Sequence, residues 1–233
     1  MKLYINANSY TEKQKQEAEE TCAILKQAGH VLSASPEEAE LIVSLGGDGA
    51  LLKSAQLALN ADRPLVGINS GRLGFLCLMK QEEIREFDQI LDHAKVTRRT
   101  VLKCTVQEVT TLALNDVVVS KPNFGETVDL HLYAGRYEYD MRGDGLLIAT
   151  PTGSTAYNSS AGGPVVDYEA PVFTITPICA SGDFSPIILR DDREITVSVN
   201  HGRAHVYADG KRIAETGDSV LVRTAEQTLT LIV

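Results

Sequence analysis

A change of pattern near residue 95 limits how this chain can fold more than any other feature of its sequence. Before that point, continuous apolar runs at Leu41–Leu45 and at residues 65–68 alternate with amphipathic stretches of helical period. Such runs are typical of strands covered on both faces, and alternation of strands with helices is typical of parallel sheets. The sequence therefore predicts an α/β domain with a Rossmann-like parallel sheet over residues 1–95. Its helices are predicted at residues 11–27, 50–59 and 82–92, the first beginning at a capping box of Ser9 and Glu12.

From Val96 onward no long helical pattern occurs, and short β-rich runs recur between turn residues. This spacing is typical of antiparallel all-β domains, so an all-β domain is expected over residues 96–233. Its strands are predicted at residues 102–106, 117–120, 130–133, 146–149, 172–175, 195–199, 204–207, 219–222 and 229–233. No helix is expected to return from the second domain to the first.

The charge balance argues against a nucleic-acid partner. The chain has 31 acidic and 22 basic residues, a formal net charge of −9, and no stripe of Lys and Arg interleaved with aromatic residues. An acidic surface repels the phosphate backbone of nucleic acids.

Cysteine spacing and the lack of a long apolar run indicate where the chain works. The four cysteines are widely separated and form no CxxC pair, which favours free thiols in a reducing compartment. No run approaches the ~20 apolar residues of a membrane-spanning helix, and the first residues lack the apolar core of a signal peptide. We therefore expect a cytoplasmic protein that does not bind membranes.

A glycine turn, Gly46-Gly47-Asp48-Gly49, follows the first apolar strand and precedes a predicted helix. Glycines let backbone amides approach a phosphate closely, and a helix N-terminus favours anions. The Walker pattern fails here because Leu52 precedes the lysine, and the GxGxxG pattern fails because Leu52 takes its last position. The aspartate at this strand end is a candidate general base or a metal-phosphate contact, and a simple Asp-Gly turn is the open alternative.

The most distinctive segment is a block of hydroxyl-bearing residues, glycines and alanines at residues 150–164, which follows an apolar strand. After Pro151 it contains one aromatic residue, Tyr157, and no aliphatic side chain larger than alanine. Small side chains let a flat ligand lie against the backbone, while hydroxyls and amides offer hydrogen bonds. We therefore interpret the block as a ligand-binding surface rather than as a surface loop.

Together, the glycine turn and this block resemble the NAD kinase family. The family's GGDG turn, its Asn-acid pair and its TPTGSTAY…SAGGP block occur in the same order, and residues 71–76 and 175–179 also look like family segments. The turn alone is shared with lipid kinases and phosphofructokinases, whereas the block is far more specific. The resemblance covers most of the chain.

The resemblance implies a mechanism and a set of site residues. Asp48 would be the general base for the 2′-hydroxyl of the adenosine ribose of NAD, which attacks the γ-phosphoryl of ATP or polyphosphate. Mg²⁺ and the amides of Gly47 and Gly49 would neutralise the phosphoryl charge. No metal site made by the protein alone is expected. The residues implied to bind the nucleotides are Phe75, Asn115, Asp116, Asp144, Ser154, Thr155, Ala156, Tyr157, Ser160 and Asp209. The resemblance also implies a homo-oligomer, either a dimer or a tetramer.

Several points stay open at the level of sequence. Arg142 is a candidate ligand contact, with a surface ion pair as its alternative. Ala50 stands where the family usually has threonine, and Asp116 stands where many members have glutamate, so contacts there are expected to differ. An NADP(H) phosphatase and a non-catalytic NAD(P)-binding regulator are the alternative functions on the same scaffold.

Overall fold

The computed structural model describes residues 1–7, 11–71, 74–182 and 184–233. It divides the chain into two compact units. The first unit comprises Met1–Arg98 together with Thr228–Val233, and the second comprises Arg99–Gln227.

The first unit is built on a largely parallel sheet. Its strands are β1 (Lys2–Ala7), β2 (Val31–Leu32), β3 (Leu41–Leu45), β4 (Leu65–Asn69), β5 (Met79–Lys80), β6 (Val96–Arg99) and β19 (Leu229–Ile232). They follow the order β2-β1-β3-β4-β19-β6, with β5 paired to β4. The pairs β1–β2, β1–β3, β3–β4 and β4–β19 are parallel. This arrangement confirms the α/β fold class predicted for the N-terminal part.

The helices of the first unit are α1 (Glu12–Gln27), α2 (Asp48–Ala61), a 3-10 turn at Gln81–Glu86 and α3 (Phe87–His93). The side chains of Thr11 and Gln14 form a capping box at the start of α1. The predicted cap residue Ser9 lies outside the described residues. Helix α2 begins at Asp48 rather than at Ala50, so the aspartate is part of the helix and only the glycines before it form the turn.

Burial explains the continuous apolar strands of the first unit. All five residues of β3 and all five of β4 are buried, because helices and loops cover the sheet. The glycine in β4, Gly67, allows close packing, since a Cβ there would lie 2.6 Å from Leu51 Cδ1 of α2. This packing fixes the position of the carboxyl ends of β3 and β4, and the glycine turn lies at that edge of the sheet.

The second unit consists of two six-stranded antiparallel sheets, which confirms the all-β class. One sheet has the order β11-β10-β15-β18-β7-β8 and contains Tyr137–Gly143, Val128–Ala134, Ile195–His201, Ser219–Thr224, Leu102–Val106 and Val109–Ala113. The other has the order β14-β13-β12-β9-β16-β17 and contains Ile187–Arg190, Val172–Ile178, Gly145–Ala149, Asp116–Ser120, Ala204–Ala208 and Lys211–Thr216. Residues of both sheets share one core, including Leu130 and Val197 from the first and Ile148 and Phe173 from the second.

One strand lies in a different unit from the one that the sequence predicted. The last strand, β19, was expected in the second domain but pairs with β4 in the sheet of the first unit. The block after β12 contains a 3-10 turn at Thr152–Thr155 and a short helix, α4, at Tyr157–Ser160. No helix in the described part of the chain is both long and apolar enough to span a membrane.

Candidate active site

The glycine turn places Asp48 at the first position of α2. Gly46 has a φ of +135°, which favours glycine, and its amide donates to the carbonyl of Ile68 at 2.9 Å. The next residue, Gly47, is the N-cap of α2 and has no side chain to cap the helix. The first amides of α2 are therefore available to an anion, because the first turn of a helix lacks intrahelical partners.

The carboxylate of Asp48 is held by the loop that follows β4. Oδ2 accepts from the amide of Phe75 at 3.2 Å, and Oδ1 accepts from the amide of Leu76 at 3.4 Å. A Cβ on Gly74 would lie 2.2 Å from Asp48 Oδ1, so only glycine lets this loop approach the carboxylate so closely. The loop therefore orients the carboxylate of Asp48. Residues 72 and 73 of this family-like segment lie outside the described part.

The thiol of Cys77 lies 4.0 Å from Asp48 Oδ1 and 3.7 Å from the carbonyl oxygen of Gly46. Burial, with a smaller contribution from the negative charge of Asp48, raises the pKa of Cys77 to about 12. The thiol is therefore neutral, and it packs beside the carboxylate as an uncharged group.

Space remains around the glycines that flank Asp48. A Cβ added to Gly47 or Gly49 would meet no described atom within 4 Å, and neither residue has a positive φ. The fold by itself therefore does not require glycine at these positions, whereas the approach of a ligand to the amides would. Ala50 is 4% exposed, so its methyl group packs in the interior. Phe75 is 83% exposed and free to pack on a ligand.

In the second unit, Asn115 and Asp116 lie at the start of β9. Both side chains are nearly buried, and the carboxamide oxygen Oδ1 of Asn115 has no hydrogen-bond partner among the described residues. Burial, with the nearby charge of Asp209 as the second cause, raises the pKa of Asp116 to about 7. A buried polar atom without a partner is costly, so this pair is arranged as for a ligand.

The carboxylate of Asp209 accepts hydrogen bonds from the amides of Leu114, Asn115 and Asp116 at 2.8, 2.7 and 3.3 Å. Burial raises the pKa of Asp209, and these three bonds act in the opposite direction. The structure therefore brings three predicted site residues, Asn115, Asp116 and Asp209, into one hydrogen-bonded group.

The hydroxyl-rich block is organised by Asn158, a buried residue that the sequence analysis did not single out. Its Nδ2 donates to the carbonyl oxygens of Ser154 and Pro164, and its Oδ1 accepts from the hydroxyls of Thr174 and Thr176. Its signal in the sequence was a carboxamide among small residues. Asn158 thus holds the block in shape from within.

One member of the block requires a correction. The side chain of Ser154 is fully buried, and its hydroxyl bonds the carbonyl of Pro151 at 2.7 Å and the backbone of Val166. It offers no group to a ligand. The neighbouring predicted residues Thr155, Tyr157 and Ser160 are exposed and Ala156 is partly exposed.

Asp144 and Tyr157 lie within electrostatic reach of this group. Burial is the main cause that raises the pKa of Tyr157, and the charges of Cys179, Asp116 and Asp144 add to it. Lys121, which follows β9, donates to the carboxylate of Asp144, which lies between β11 and β12, at 2.7 Å; the sequence did not predict this contact because the two residues are far apart in the chain.

The sequence left two roles open for Arg142, a ligand contact and a surface ion pair, and the structure shows an ion pair. Its Nε donates to the Thr127 hydroxyl at 3.0 Å and lies 3.5 Å from an Asp129 carboxylate oxygen. The side chain of Arg142 is 67% exposed, so this is a surface ion pair. The role of Arg142 as a ligand contact stays a prediction.

Within the described part of the chain, no group of three or more His, Cys, Asp and Glu side chains is arranged to hold a metal ion. Kinases commonly hold Mg²⁺ with one or two carboxylates and the substrate phosphates, so a cage made by the protein is not needed. Asp48 supplies a carboxylate at the glycine turn, and part of its hydrogen-bonding capacity is already used. These residues fit an Mg²⁺ ion that arrives with the donor phosphates.

Comparison with known proteins agrees with this geometry. Residues 3–96 match the model of the ATP-NAD kinase N-terminal domain, and residues 114–233 match that of the ATP-NAD kinase C-terminal domain. The NAD kinase of Chromohalobacter salexigens is 35% identical over 210 residues, which cover 84% of this chain and 72% of that protein. The NAD kinase of Sulfurimonas denitrificans is 34% identical over 205 residues, with the same two coverages.

Solved structures show the same fold. Yeast NADH kinase, crystallised with NADH, superposes with a TM-score of 0.87 at 22% identity, covering 100% of this chain and 83% of that one. An NAD kinase from Archaeoglobus fulgidus in complex with ATP gives a TM-score of 0.79 at 26% identity, covering 99% and 92%.

The first unit is an α/β unit with a carboxylate at its glycine turn. The second is an antiparallel unit whose hydroxyl-rich block exposes polar side chains. These features are typical of a nucleotide-dependent phosphotransferase. The matched family models and relatives then identify the particular group. The chain belongs to the ATP-NAD kinase family, which confirms the resemblance found in the sequence.

Proposed function

We propose that the chain transfers the γ-phosphoryl group of ATP to the 2′-hydroxyl of the adenosine ribose of NAD, giving NADP, with Asp48 as general base. The observation that carries the role of Asp48 is its oriented carboxylate at the start of α2, between two glycines that the fold itself does not require. Membership of the family supports the overall reaction.

In the proposed step, the carboxylate of Asp48 takes the proton of the 2′-hydroxyl as the ribose oxygen attacks the γ-phosphorus. The bond between the γ-phosphorus and the oxygen bridging it to the β-phosphate breaks, and ADP leaves. The amides of Gly47 and Gly49 stabilise the negative charge on the transferred group, since donors held in place need no reorganisation. Mg²⁺ bound to the donor would supply further charge neutralisation.

NAD binding is assigned to residues of the second unit. The carboxamide of Asn115 and the carboxyl of Asp116 are nearly buried polar groups suited to the adenine and ribose. Asp144 is assigned to the nicotinamide-bearing part, where Lys121 balances its charge. The exposed residues of the block assigned to the dinucleotide are Thr155, Ala156, Tyr157 and Ser160.

We also propose that the enzyme works in the cytoplasm as a homo-oligomer and binds neither nucleic acid nor membranes. All four cysteines are free thiols, as in proteins of reducing compartments. The net charge of −9 disfavours nucleic acids.

The activity is tested by incubating the purified chain with NAD, ATP and Mg²⁺ and detecting NADP with an NADP-specific dehydrogenase. Asp48→Asn is expected to lower kcat by about 100- to 10,000-fold, because it removes the base, with the Kd for NAD nearly unchanged. The matched control is Asp62→Asn, the same change at the exposed C-terminal cap of α2, where asparagine tolerates the left-handed backbone.

Three outcomes would contradict this assignment. If wild-type protein forms no NADP with either ATP or polyphosphate, the kinase proposal fails. If it instead releases phosphate from NADP, the chain is a phosphatase. If Asp48→Asn loses NAD binding, the residue anchors the ligand and is not the base.

A further inference from the structure

Both carboxylate oxygens of Asp209 accept hydrogen bonds from the backbone of residues 114–116. Asp209 follows β16 and has a φ of +47°. Its Oδ2 accepts from the amide of Leu114, and its Oδ1 accepts from the amides of Asn115 and Asp116. The amide of Asp209 in turn donates to the carbonyl of Asp116 at 3.0 Å. Such a carboxylate is poorly placed to meet a phosphate, whose charge it would also repel.

Thr150 bonds the remaining carbonyl groups of the same segment. Its hydroxyl donates to the carbonyl of Leu114 at 2.6 Å, and its amide donates to the carbonyl of Asn115 at 2.9 Å. The three amides and three carbonyls of residues 114–116 are therefore all bonded to Asp209 or to Thr150. Gly153 packs directly against this backbone, since a Cβ there would lie 2.0 Å from the carbonyl oxygen of Asn115.

The side chains carried by this backbone are less well satisfied. Asn115 Oδ1 is buried and has no partner among the described residues. Asp116 is 6% exposed. A fully bonded backbone that carries a buried, unpaired side-chain oxygen is the arrangement of a site prepared for a ligand, because the cost of that oxygen is recovered when a ligand donates to it.

We propose that Asp209 is a positioning residue: it fixes the backbone of residues 114–116 so that Asn115 and Asp116 meet the dinucleotide, and it contacts neither a phosphate nor a reacting atom. The proposal rests on the proposed function in taking NAD as the ligand.

The test compares NAD binding with turnover. Asp209→Asn replaces one carboxylate oxygen by an NH₂ group, which cannot accept from a backbone amide. The Kd for NAD is expected to rise by about 10- to 100-fold, while kcat at saturating NAD changes by less than about threefold. Asp218→Asn is the matched control, because it makes the same change at an exposed residue of the same unit.

Thr150 provides a second, independent pair of variants. Thr150→Val keeps the shape but removes the hydroxyl, so it is expected to weaken NAD binding in the same direction, and Thr150→Ser is expected to recover most of the loss. The effect of Asp209→Asn combined with Thr150→Val should be smaller than the product of the single effects, since both act on one segment. If Asp209→Asn does not fold, the Thr150 variants still test whether fixing the backbone of residues 114–116 supports NAD binding, and unchanged binding in Thr150→Val would overturn the proposal.

Hydrogen exchange measured without ligand gives a readout that does not depend on catalysis. The amides of residues 114–116 should exchange faster in Asp209→Asn than in wild type or Asp218→Asn. Unchanged exchange would overturn the proposal, as would a fall in kcat of about 100-fold or more at an unchanged Kd. If wild type binds NAD but forms no NADP, the proposed kinase function fails while the binding comparison still decides the role of Asp209.

Discussion

At the scale of single residues, three aspartates differ because their surroundings differ. Asp48 accepts from two amides and is partly exposed. Asp209 accepts from three amides, which hold its negative charge in place. Asp116 is buried beside Asp209, and its pKa rises to about 7. Near neutral pH Asp116 can therefore donate or accept a hydrogen bond, which suits contact with a ribose hydroxyl.

The raised pKa of Asp116 has a consequence for stability. Between the ordinary carboxyl pKa and about 7, the folded chain keeps a proton that the unfolded chain has lost, so stability falls as pH rises through this window. Asp116→Asn is expected to be more stable than wild type by about 1–3 kcal/mol at pH 8, with little difference near pH 4. Urea unfolding at both pH values measures this, and NAD binding should weaken in the same variant.

The control is Asp218→Asn, which makes the same change at an exposed residue of the same unit. A gain of equal size at pH 4 and pH 8 would show that the charge of Asp116 is not the cause.

At the scale of elements, the glycines of the site fall into two groups. Gly74, Gly153 and Gly163 are required by packing, since a Cβ at each would lie 2.0 to 2.2 Å from another atom. Gly47 and Gly49 have free space around them. The first group is needed for close packing, and the second group leaves open space at the start of α2.

This difference predicts opposite effects of the same substitution. Gly49→Ala, in the first turn of α2, is expected to leave stability unchanged or to raise it by about 0.5 kcal/mol, because alanine favours helix. Its methyl group should nevertheless lower NADP formation by about tenfold or more, since it occupies the space beside the amide donors. Thermal unfolding and the NADP assay measure the two effects.

The matched comparison is Gly153→Ala, which is expected to destabilise the fold by about 2 kcal/mol or more, because its Cβ would overlap the backbone of Asn115. If Gly49→Ala keeps full activity, the space at the turn is not used by the donor.

At the scale of the whole molecule, the chain leaves the first unit after Arg98 and returns to it at Thr228. The returning strand β19 pairs with β4, with Leu231 opposite Leu65 and Ile232 opposite Val66. The hydroxyl of Thr97 adds a bond to the carbonyl of Leu231 at 3.0 Å. The sheet that positions Asp48 thus depends on residues at the far end of the sequence.

Leu231→Ala is therefore expected to destabilise the first unit by about 2–4 kcal/mol, because Leu231 is fully buried. Hydrogen exchange should accelerate within residues 1–98 and change little within residues 99–227. Leu130→Ala, an equally buried leucine of the second unit, should show the reverse distribution. Acceleration spread evenly over both units in both variants would contradict the division of the chain.

Local pattern was sufficient to predict the two structural classes, most strand positions and the glycine turn. A strand covered on both faces is expected to be almost continuously apolar, as Leu41–Leu45 is. The alternation of such strands with helices is compatible with few fold classes other than α/β. Short polar strands were missed, including Tyr137–Gly143 and Lys211–Thr216, because few of their residues are buried and they carry no strong apolar signal. The glycine turn also singled out Asp48, and the family resemblance pointed to the Asn115-Asp116 pair; the roles of these residues stay predictions.

The sequence alone was therefore sufficient to recognise the family-like GGDG turn and to predict the α/β and all-β classes. Only the tertiary structure decided that β19 belongs to the first sheet, that Ser154 is buried and that Asp209 bonds residues 114–116. Each of these depends on contacts between residues far apart in the chain. The hydrogen bond of 2.7 Å from the backbone amide of Asn115 to the carboxylate of Asp209 leaves no trace in local composition, because 93 residues lie between the two.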